Sequence, residues 1–236
     1  MKDLEKTQHN ILTQLLEIPE STPYVGILME TGIWLMESRV HYRKLMLYHR
    51  LIHSDEKRTI KIIIGFQKEY ERREGTWYSD VMRICSIYDI TCDVYKSRKS
   101  EWKREVKTKI GTVNRQKVVQ SCSEGVKTRF VCNNEWGRKK YLDEGTVEEV
   151  KRIMKFRLCM VVLPCNQRRK EAEPGCTLCG ETKKIRMEHY FSCRRLVRMR
   201  DSLNIMPDEE QYMNGTMHHM GKGARYMETV SKLVVF

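Results

Sequence analysis

The chain has 236 residues, of which 40% are hydrophobic and only five are proline, a composition that argues against disorder and suits one large domain or two small ones. Its formal net charge is +13 and its pI is near 9.3, which indicates a polyanionic partner. No apolar run approaches the roughly 20 residues that span a bilayer, and the N-terminus lacks the apolar region of a signal peptide. We therefore expect no membrane partner, a location in the nucleus or cytoplasm, and nine cysteines that are reduced thiols or metal ligands rather than disulfides.

The net charge is concentrated in two parts of the chain. Residues 96–127 contain ten basic and three acidic residues, and residues 151–200 contain fourteen basic and four acidic residues. The other parts of the chain are close to neutral or slightly acidic. Such an uneven distribution favours a binding surface over a general role of the charge in solubility.

Apolar residues recur at helical spacing along most of the chain, between residues that cap or end helices. The cap candidates are Thr22 before Pro23, Thr76, and Thr146 with Glu149 at the capping-box position. No alternating strand pattern is present, so we predict a mostly α fold. The predicted helices are residues 3–18, 23–31, 33–53, 56–73, 76–88, 100–119, 146–163, 187–203 and 224–234.

The helix predicted at residues 100–119 has an apolar stripe and an adjoining basic face. Its stripe consists of Trp102, Val106, Ile110 and Val113. Trp102 is more typical of a core anchor than of a side chain that stacks on a base. The basic face favours phosphate contacts, although a merely solvated face remains the alternative. Its residues are Lys96, Lys103, Arg104 and Lys107, of which the last three are the candidate contacts.

Four potential metal ligands follow one another with the spacing C-x2-C-x9-H-x3-C. They are Cys176, Cys179, His189 and Cys193. Structural zinc sites use four nitrogen or sulfur ligands, commonly as two close pairs. Gly180 can take a positive φ that turns backbone N–H groups toward the first pair of sulfurs, and the spacing of His189 and Cys193 places them one turn apart on a helix. We predict one structural zinc; a partly buried cluster of reduced cysteines is the alternative.

The segment around these ligands is strongly basic. A small zinc knuckle surrounded by cations can present them to phosphates, whereas a solvated helix face is the other interpretation. The candidate contacts are Lys183, Lys184, Arg186, Arg194, Arg195 and Arg198, and Arg200 belongs to the same basic run.

Other histidines and cysteines give weaker patterns. His49 and His53, with His41 two turns earlier, are interpreted as ordinary polar positions on a helix surface, because no further metal ligands lie near them. The remaining cysteines have no paired spacing and are interpreted as single thiols. They are Cys85, Cys92, Cys122, Cys132, Cys159 and Cys165, the last of which lies close enough to the zinc ligands to serve as a spare one.

The segment "CTLCG…EHYFSC" resembles the cysteine–histidine knuckle near the C-terminus of non-LTR retrotransposon reverse transcriptases. The helical segment from "ILTQLLEIPESTPYVGILMETG" to "HYRKLMLYHRLI" resembles the thumb and linker that follow the polymerase palm in those polyproteins. The resemblance covers residues 5–200 and implies that Cys176, Cys179, His189 and Cys193 bind zinc. It also implies that the helices lie over a primer–template and that the knuckle grips RNA or DNA, with a polymerase palm domain as a further possible partner.

The departures from the family bear on catalysis. Thr177 replaces the usual proline, and the aromatic-x-Asp-Asp motif that holds the polymerase magnesium ions is missing. The segment "MPDEEQY" resembles an endonuclease motif only weakly. We therefore predict no enzyme activity and expect the chain to be a detached C-terminal piece of such a polyprotein.

The predicted organisation has four parts. A helical thumb-like region (1–95) precedes a basic helical linker (96–165), a CCHC zinc-knuckle module (166–205) and a short C-terminal tail with one helix (206–236). The predicted function is non-catalytic binding of RNA, DNA or both. The alternative is a protein-interaction module that docks through the apolar helices of residues 1–90.

Overall fold

The structure, a computed structural model, describes residues 1–55, 58–69, 75–125, 128, 131, 136–161, 176, 178–181, 187–207, 212 and 217–234. Within these ranges the regular elements are helices, and the extended pairing is limited to one isolated antiparallel bridge between Thr31 and Arg138. The prediction of a mostly α fold is confirmed. No helix in the described part of the chain is both long enough and apolar enough to cross a bilayer.

The described residues contain eleven α-helices, given below in chain order, and one short 3₁₀ helix. The α-helices are α1 (Lys2–Leu15), α2 (Tyr24–Thr31), α3 (Met36–Ile52), α4 (Thr59–Glu69), α5 (Trp77–Ile87), α6 (Lys99–Ser123), α7 (Tyr141–Glu144), α8 (Val147–Arg157), α9 (Met187–Ser192), α10 (Val197–Ser202) and α11 (Met217–Val234), and the 3₁₀ helix is Arg194–Leu196, which lies between α9 and α10.

Local capping signals explain several helix starts. The Thr76 hydroxyl accepts a hydrogen bond from the Ser79 backbone N–H at the start of α5. At the start of α8, Thr146 and Glu149 form both hydrogen bonds of the predicted capping box. The prediction that Thr22 caps α2 is wrong, because the N-cap residue is Pro23 and the Thr22 hydroxyl donates to the Pro19 carbonyl instead.

The described residues form two compact units. One comprises Met1–Lys6 and Trp34–Val118, and the other comprises Thr7–Ile33 and Val119–Phe236. The four-part division expected from the sequence stays a prediction.

In the first unit, α3, α5 and the first half of α6 share a core. The predicted apolar stripe of α6 faces this core: Trp102, Val106 and Ile110 are buried. The indole Nε1–H of Trp102 donates to the Leu45 carbonyl at 3.1 Å. Because its ring is enclosed, Trp102 is a core anchor and not a platform for a base.

The interpretation of His41 and His49 as surface positions is wrong, whereas His53 is exposed as expected. His41 and His49 are buried, with 7% and 5% of their surface exposed. The Nε2 atoms of His49 and His53 hydrogen-bond the carbonyl oxygens of Ser97 (3.2 Å) and Val94 (2.8 Å). Burial lowers the pKa of His41 and of His49. The rings of His49 and His53 therefore connect the C-terminal end of α3 to the segment that precedes α6.

The second unit has its core between α8, α9 and α11. Phe191 stacks on Tyr212 with ring centroids 5.7 Å apart, and the Tyr226 hydroxyl donates to the Tyr190 carbonyl at 2.5 Å. Helix α11 begins seven residues before the predicted start at residue 224. Gly223 lies inside this extension, where an added Cβ would come within 2.6 Å of Tyr212 Cβ. Gly223 is therefore a point of close packing inside the helix.

A buried ion pair also stabilises the second unit. The guanidinium of Arg157 donates from Nε to Glu30 Oε2 (2.7 Å) and from Nη2 to Glu30 Oε1 (3.0 Å). The Tyr141 hydroxyl donates to the same carboxylate at 2.5 Å. Side-chain exposure is 2% for Arg157 and 0% for Glu30. Burial alone would lower the pKa of Arg157, but the Glu30 carboxylate raises it, so the guanidinium stays protonated.

Candidate metal centre and basic surfaces

The four predicted metal ligands come together in the second unit. The Sγ atoms of Cys176 and Cys193 lie 3.9 Å apart, and Cys179 Sγ lies 3.4 Å from His189 Nε2. All four ligand atoms lie within 4.8 Å of one another. A tetrahedral zinc with bonds of about 2.3 Å to sulfur and about 2.1 Å to nitrogen would separate two sulfurs by about 3.8 Å and a sulfur and a nitrogen by about 3.5 Å. The cluster can therefore hold one metal ion of this size.

A tight backbone turn positions the first two ligands. The Gly180 N–H donates to the Cys176 carbonyl (2.9 Å), and the Cys176 N–H donates to the Glu181 carbonyl (2.8 Å). Gly180 has a φ of 73°, as the sequence predicted. Burial alone would raise the pKa of the Cys179 thiol, but the hydrogen bond from the Glu181 backbone N–H, the neighbouring thiols and the Arg194 cation lower it. The turn thus favours a thiolate, the form of cysteine that binds metal.

The prediction of one continuous helix over residues 187–203 is wrong. Helix α9 ends at Ser192, and Cys193 has a non-helical ψ of 123° before the 3₁₀ turn Arg194–Leu196. His189 and Cys193 therefore do not lie on one helix face. The bend still places the Cys193 thiol beside Cys176. All four predicted ligands therefore meet, although Cys193 reaches the cluster from a bend and not from a continuous helix.

Arg200 stabilises this bend rather than a ligand-binding surface. Its side chain is 7% exposed, and its Nη1 donates to the Cys193 carbonyl at 2.8 Å. This carbonyl also accepts the Leu196 N–H (3.0 Å), and because the helix is interrupted there both donors come from outside α9. The inclusion of Arg200 in a solvent-facing basic run was an error of sequence reasoning, since spacing alone does not reveal burial.

The cluster is part of the core and not a peripheral appendage. Cys176 and Cys193 are buried, whereas Cys179 and His189 are half-buried. Burial raises the pKa of the Cys193 thiol to about 11. A metal ion that binds here must displace this proton, as thiolate ligation requires.

The predicted contacts that follow the cluster lie at the protein surface. Arg194 is exposed, but its Nη2 donates to the Cys179 carbonyl at 3.0 Å, so it also supports the turn. Arg195 and Arg198 are exposed and form no ion pair with the described part of the chain. Lys183, Lys184 and Arg186 lie outside the described residues.

The predicted basic face of α6 is exposed as well. Lys103, Arg104 and Lys107 point away from the core stripe and make no ion pair with the described residues. Farther along the same helix, Lys109 and Lys117 are paired with Asp89 (2.8 Å) and Glu37 (2.7 Å). Lys103, Arg104 and Lys107, like Arg115 farther along α6, are therefore exposed cations without an ion pair to the described residues.

No family model, curated protein or solved structure matches this chain. The resemblance to non-LTR retrotransposon reverse transcriptases and the expected lack of enzyme activity stay predictions.

The other cysteines do not join a ligand set in the described structure. Cys85 and Cys92 are half-buried, and Cys122 and Cys159 are buried. Cys132 and Cys165, including the possible role of Cys165 as a spare ligand, lie outside the described residues. Cys176, Cys179, His189 and Cys193 form the one His/Cys/Asp/Glu group within the described ranges that could hold a metal ion.

Proposed function

We propose that the chain is a non-catalytic, nucleic-acid-binding protein with one structural zinc, and that it corresponds to the C-terminal region of a non-LTR retrotransposon reverse transcriptase. The observation that carries the proposal is the meeting of four metal ligands next to exposed arginines at the end of a basic segment. RNA and DNA are both candidate ligands, since phosphate contacts do not distinguish them.

Zinc fits the cluster best among common metals. Three cysteines and one histidine form a soft donor set that suits Zn²⁺ and not Mg²⁺ or Ca²⁺. Four protein ligands complete a tetrahedron and leave no position for a reacting water or substrate. The role of the ion is therefore structural: it joins the turn at residues 176–181 to the end of α9.

The two basic surfaces are the proposed contacts for the phosphate backbone. The first consists of Lys103, Arg104 and Lys107 on α6, and the second contains Arg194, Arg195 and Arg198. Exposed cations without acidic partners can each neutralise a phosphate and release counterions, so affinity should fall with added salt.

The test is a fluorescence-anisotropy titration of the zinc-loaded protein with single-stranded RNA and duplex DNA at several salt concentrations. The triple variant Lys103→Gln, Arg104→Gln, Lys107→Gln should have a shallower slope of log affinity against log salt. The expected decrease is about 0.7–0.9 for each lost phosphate contact, or about 2 for three contacts.

A charge-matched control separates contact from net charge. Arg83, Lys109 and Lys117 are already paired with Asp80, Asp89 and Glu37, so their replacement by Gln should leave the slope nearly unchanged. Equal slopes of log affinity against log salt for the triple variant and the wild type would show that the phosphate contacts do not lie on α6. Failure of the wild type to bind either nucleic acid at low salt would overturn the proposed function.

A second candidate function is a protein-interaction module that uses the apolar helices of residues 1–90. Helix α4 exposes four large apolar side chains, spread over about half of its circumference at 100° per residue, while Ile64 is buried. Its exposed side chains are Ile60 (42%), Ile62 (49%), Ile63 (44%) and Phe66 (58%). By the family resemblance, the partner would be a polymerase palm domain.

This second function predicts association that depends on α4. Sedimentation velocity and binding of a hydrophobic dye should show self-association or dye uptake by the wild type, and Ile63→Lys with Phe66→Lys should reduce both. Ile87→Lys is the control, because Ile87 is similarly exposed (46%) on α5. A monomer that takes up no dye would count against the module.

A further inference from the structure

A cavity of about 550 Å³ lies within the first unit, between the C-terminal half of α3 and the start of α6. Its volume falls in the range of small-ligand sites, roughly 300–1,000 Å³, and exceeds what a single phosphate would fill. Its lining residues are Met46, His49, Arg50, His53, Lys96, Ser97, Arg98 and Lys99. We refer to it as the α3–α6 cavity.

The lining is strongly cationic. Four of the lining residues carry a positive charge, and none of them is acidic: Arg50, Lys96, Arg98 and Lys99. Asp93 lies 3.9 Å from Lys96, and Glu101 accepts a hydrogen bond from the Arg98 backbone N–H at 2.9 Å. With these two acids counted, an excess of positive charge remains at the cavity. The side chains of Arg50, Arg98 and Lys99 form no ion pair with the described residues.

The start of α6 adds hydrogen-bond donors beside these cations. Helix α6 begins at Lys99, and the N–H groups of a first helical turn favour anions.

The side of the cavity formed by the end of α3 is aromatic, and its rings are held in place. The rings of His49 and His53 lie 4.3 Å apart, with an interplanar angle of 34°. Their Nε2 atoms are engaged with the Ser97 and Val94 carbonyls, which restrains both rings. His53 is exposed and Met46 is half-buried, so this wall offers a flat surface on which a base could stack.

We infer that the α3–α6 cavity binds one nucleotide unit of a single-stranded nucleic acid. Its phosphate meets Arg50, Arg98 and Lys99, and its base lies against His53 and Met46. The inference deepens the proposed nucleic-acid binding by adding a nucleotide site next to the N-terminal end of the α6 basic surface. It rests on the proposed function for the strand, but the cavity itself is testable with a mononucleotide.

The first experiment titrates adenosine monophosphate and, separately, inorganic phosphate into the zinc-loaded protein and follows the histidine ring signals by NMR. Adenosine monophosphate should shift the His53 signals and bind more tightly than inorganic phosphate. The variant Arg98→Gln, Lys99→Gln should lose the shift. Unchanged His53 signals at millimolar nucleotide, or equal binding of phosphate and nucleotide, would overturn the inferred base contact.

The second experiment measures single-stranded RNA affinity by anisotropy. Loss of Arg98 and Lys99 should weaken binding about tenfold, since a charge-assisted hydrogen bond contributes roughly 1.5 kcal/mol or more. The matched control is Arg39→Gln, Arg43→Gln, which removes the same charge from exposed positions of α3 outside the cavity. Equal weakening by both double variants would attribute the effect to net charge and overturn the inference.

The outcomes separate this inference from the proposed function. If the α6 triple variant lowers the salt slope while the cavity variant behaves like its control, the proposed function stands and the cavity inference fails. If adenosine monophosphate shifts His53 but the protein binds no RNA or DNA, the cavity binds a nucleotide and the proposed function fails. As a control, the thermal unfolding temperature of each variant is measured. A value equal to that of the wild type shows that folded proteins are being compared.

Discussion

Cys179→Ser is expected to reduce the zinc content from one ion per chain to none and to disrupt the core of the second unit. Serine is a poor zinc ligand, and three remaining ligands do not close the tetrahedron. Binding of structural zinc is coupled to folding and contributes about 10–16 kcal/mol in isolated zinc fingers. Because whole domains are stable by only about 5–15 kcal/mol, losing even a part of this contribution is a large effect.

The disruption should extend beyond the ligands, because they share a core with distant helices. Cys176, Cys193 and Phe191 belong to the same buried cluster as residues of α8 and α11. Phe156 on α8 lies 6.1 Å from Phe191, ring centroid to ring centroid. Loosening the end of α9 therefore removes the surface on which α8 and α11 pack.

The measurement combines metal analysis with unfolding. Zinc per chain is determined by elemental mass spectrometry, and thermal unfolding is followed by circular dichroism. RNA affinity should also fall, since Arg194 and its neighbours depend on the turn. Cys92→Ser is the matched control: Cys92 is also half-buried but lies outside the cluster, and this variant should retain one zinc. A Cys179→Ser protein that keeps a full equivalent of zinc would contradict the assigned ligand set.

Glu30→Gln is expected to destabilise the second unit by about 3–5 kcal/mol. The substitution leaves the Arg157 guanidinium buried without a counter-charge, and the pKa of that guanidinium is too high for it to lose its proton. It also removes the anion that accepts the Tyr141 hydrogen bond. The penalty comes from the uncompensated charge, which makes it much larger than the effect of removing a surface pair.

Two controls test this explanation. Replacing both charged partners, Glu30→Leu with Arg157→Met, should recover much of the loss, because a buried ion pair is worth little more than apolar residues of similar volume. Arg138→Met breaks the exposed pair with Asp143 and should not change stability measurably. Urea unfolding gives the free energies. A loss after Glu30→Gln no larger than that of Arg138→Met would show that the pair does not stabilise the fold.

Sequence reasoning succeeded where the signal is local. The Thr146–Glu149 capping box, the Thr76 cap and the positive φ of Gly180 each depend on residues within three positions of one another, and all three were predicted. The four-ligand set was also found from spacing, because two short motifs limit how a tetrahedral metal can be bound. The stripe of α6 was found from helical periodicity, which is equally local.

Sequence reasoning failed where burial depends on distant segments. His49 looks like a surface position until the segment at residues 94–97 lies against it, and His41 looks like one until Tyr88 packs on it. Arg200 looks like one more surface cation, but its acceptor is a carbonyl exposed only by the break at Cys193. The start of α11 was placed too late: the sequence does not reveal that Tyr212 and Phe156 pack so closely on Gly223 that a side chain there would clash.

The sequence by itself determined the helical class, several helix caps, the four potential metal ligands and the two basic regions, because hydrogen bonds and side-chain periodicity within a few residues specify them. Only the tertiary structure decided which cations are exposed, that Glu30 pairs with Arg157 across 127 positions, and that α3 and α6 enclose a cationic cavity. These features depend on burial and on charge pairing between segments far apart in the chain. The free energy of a charge or a polar group changes with its surroundings more than with its neighbours in sequence.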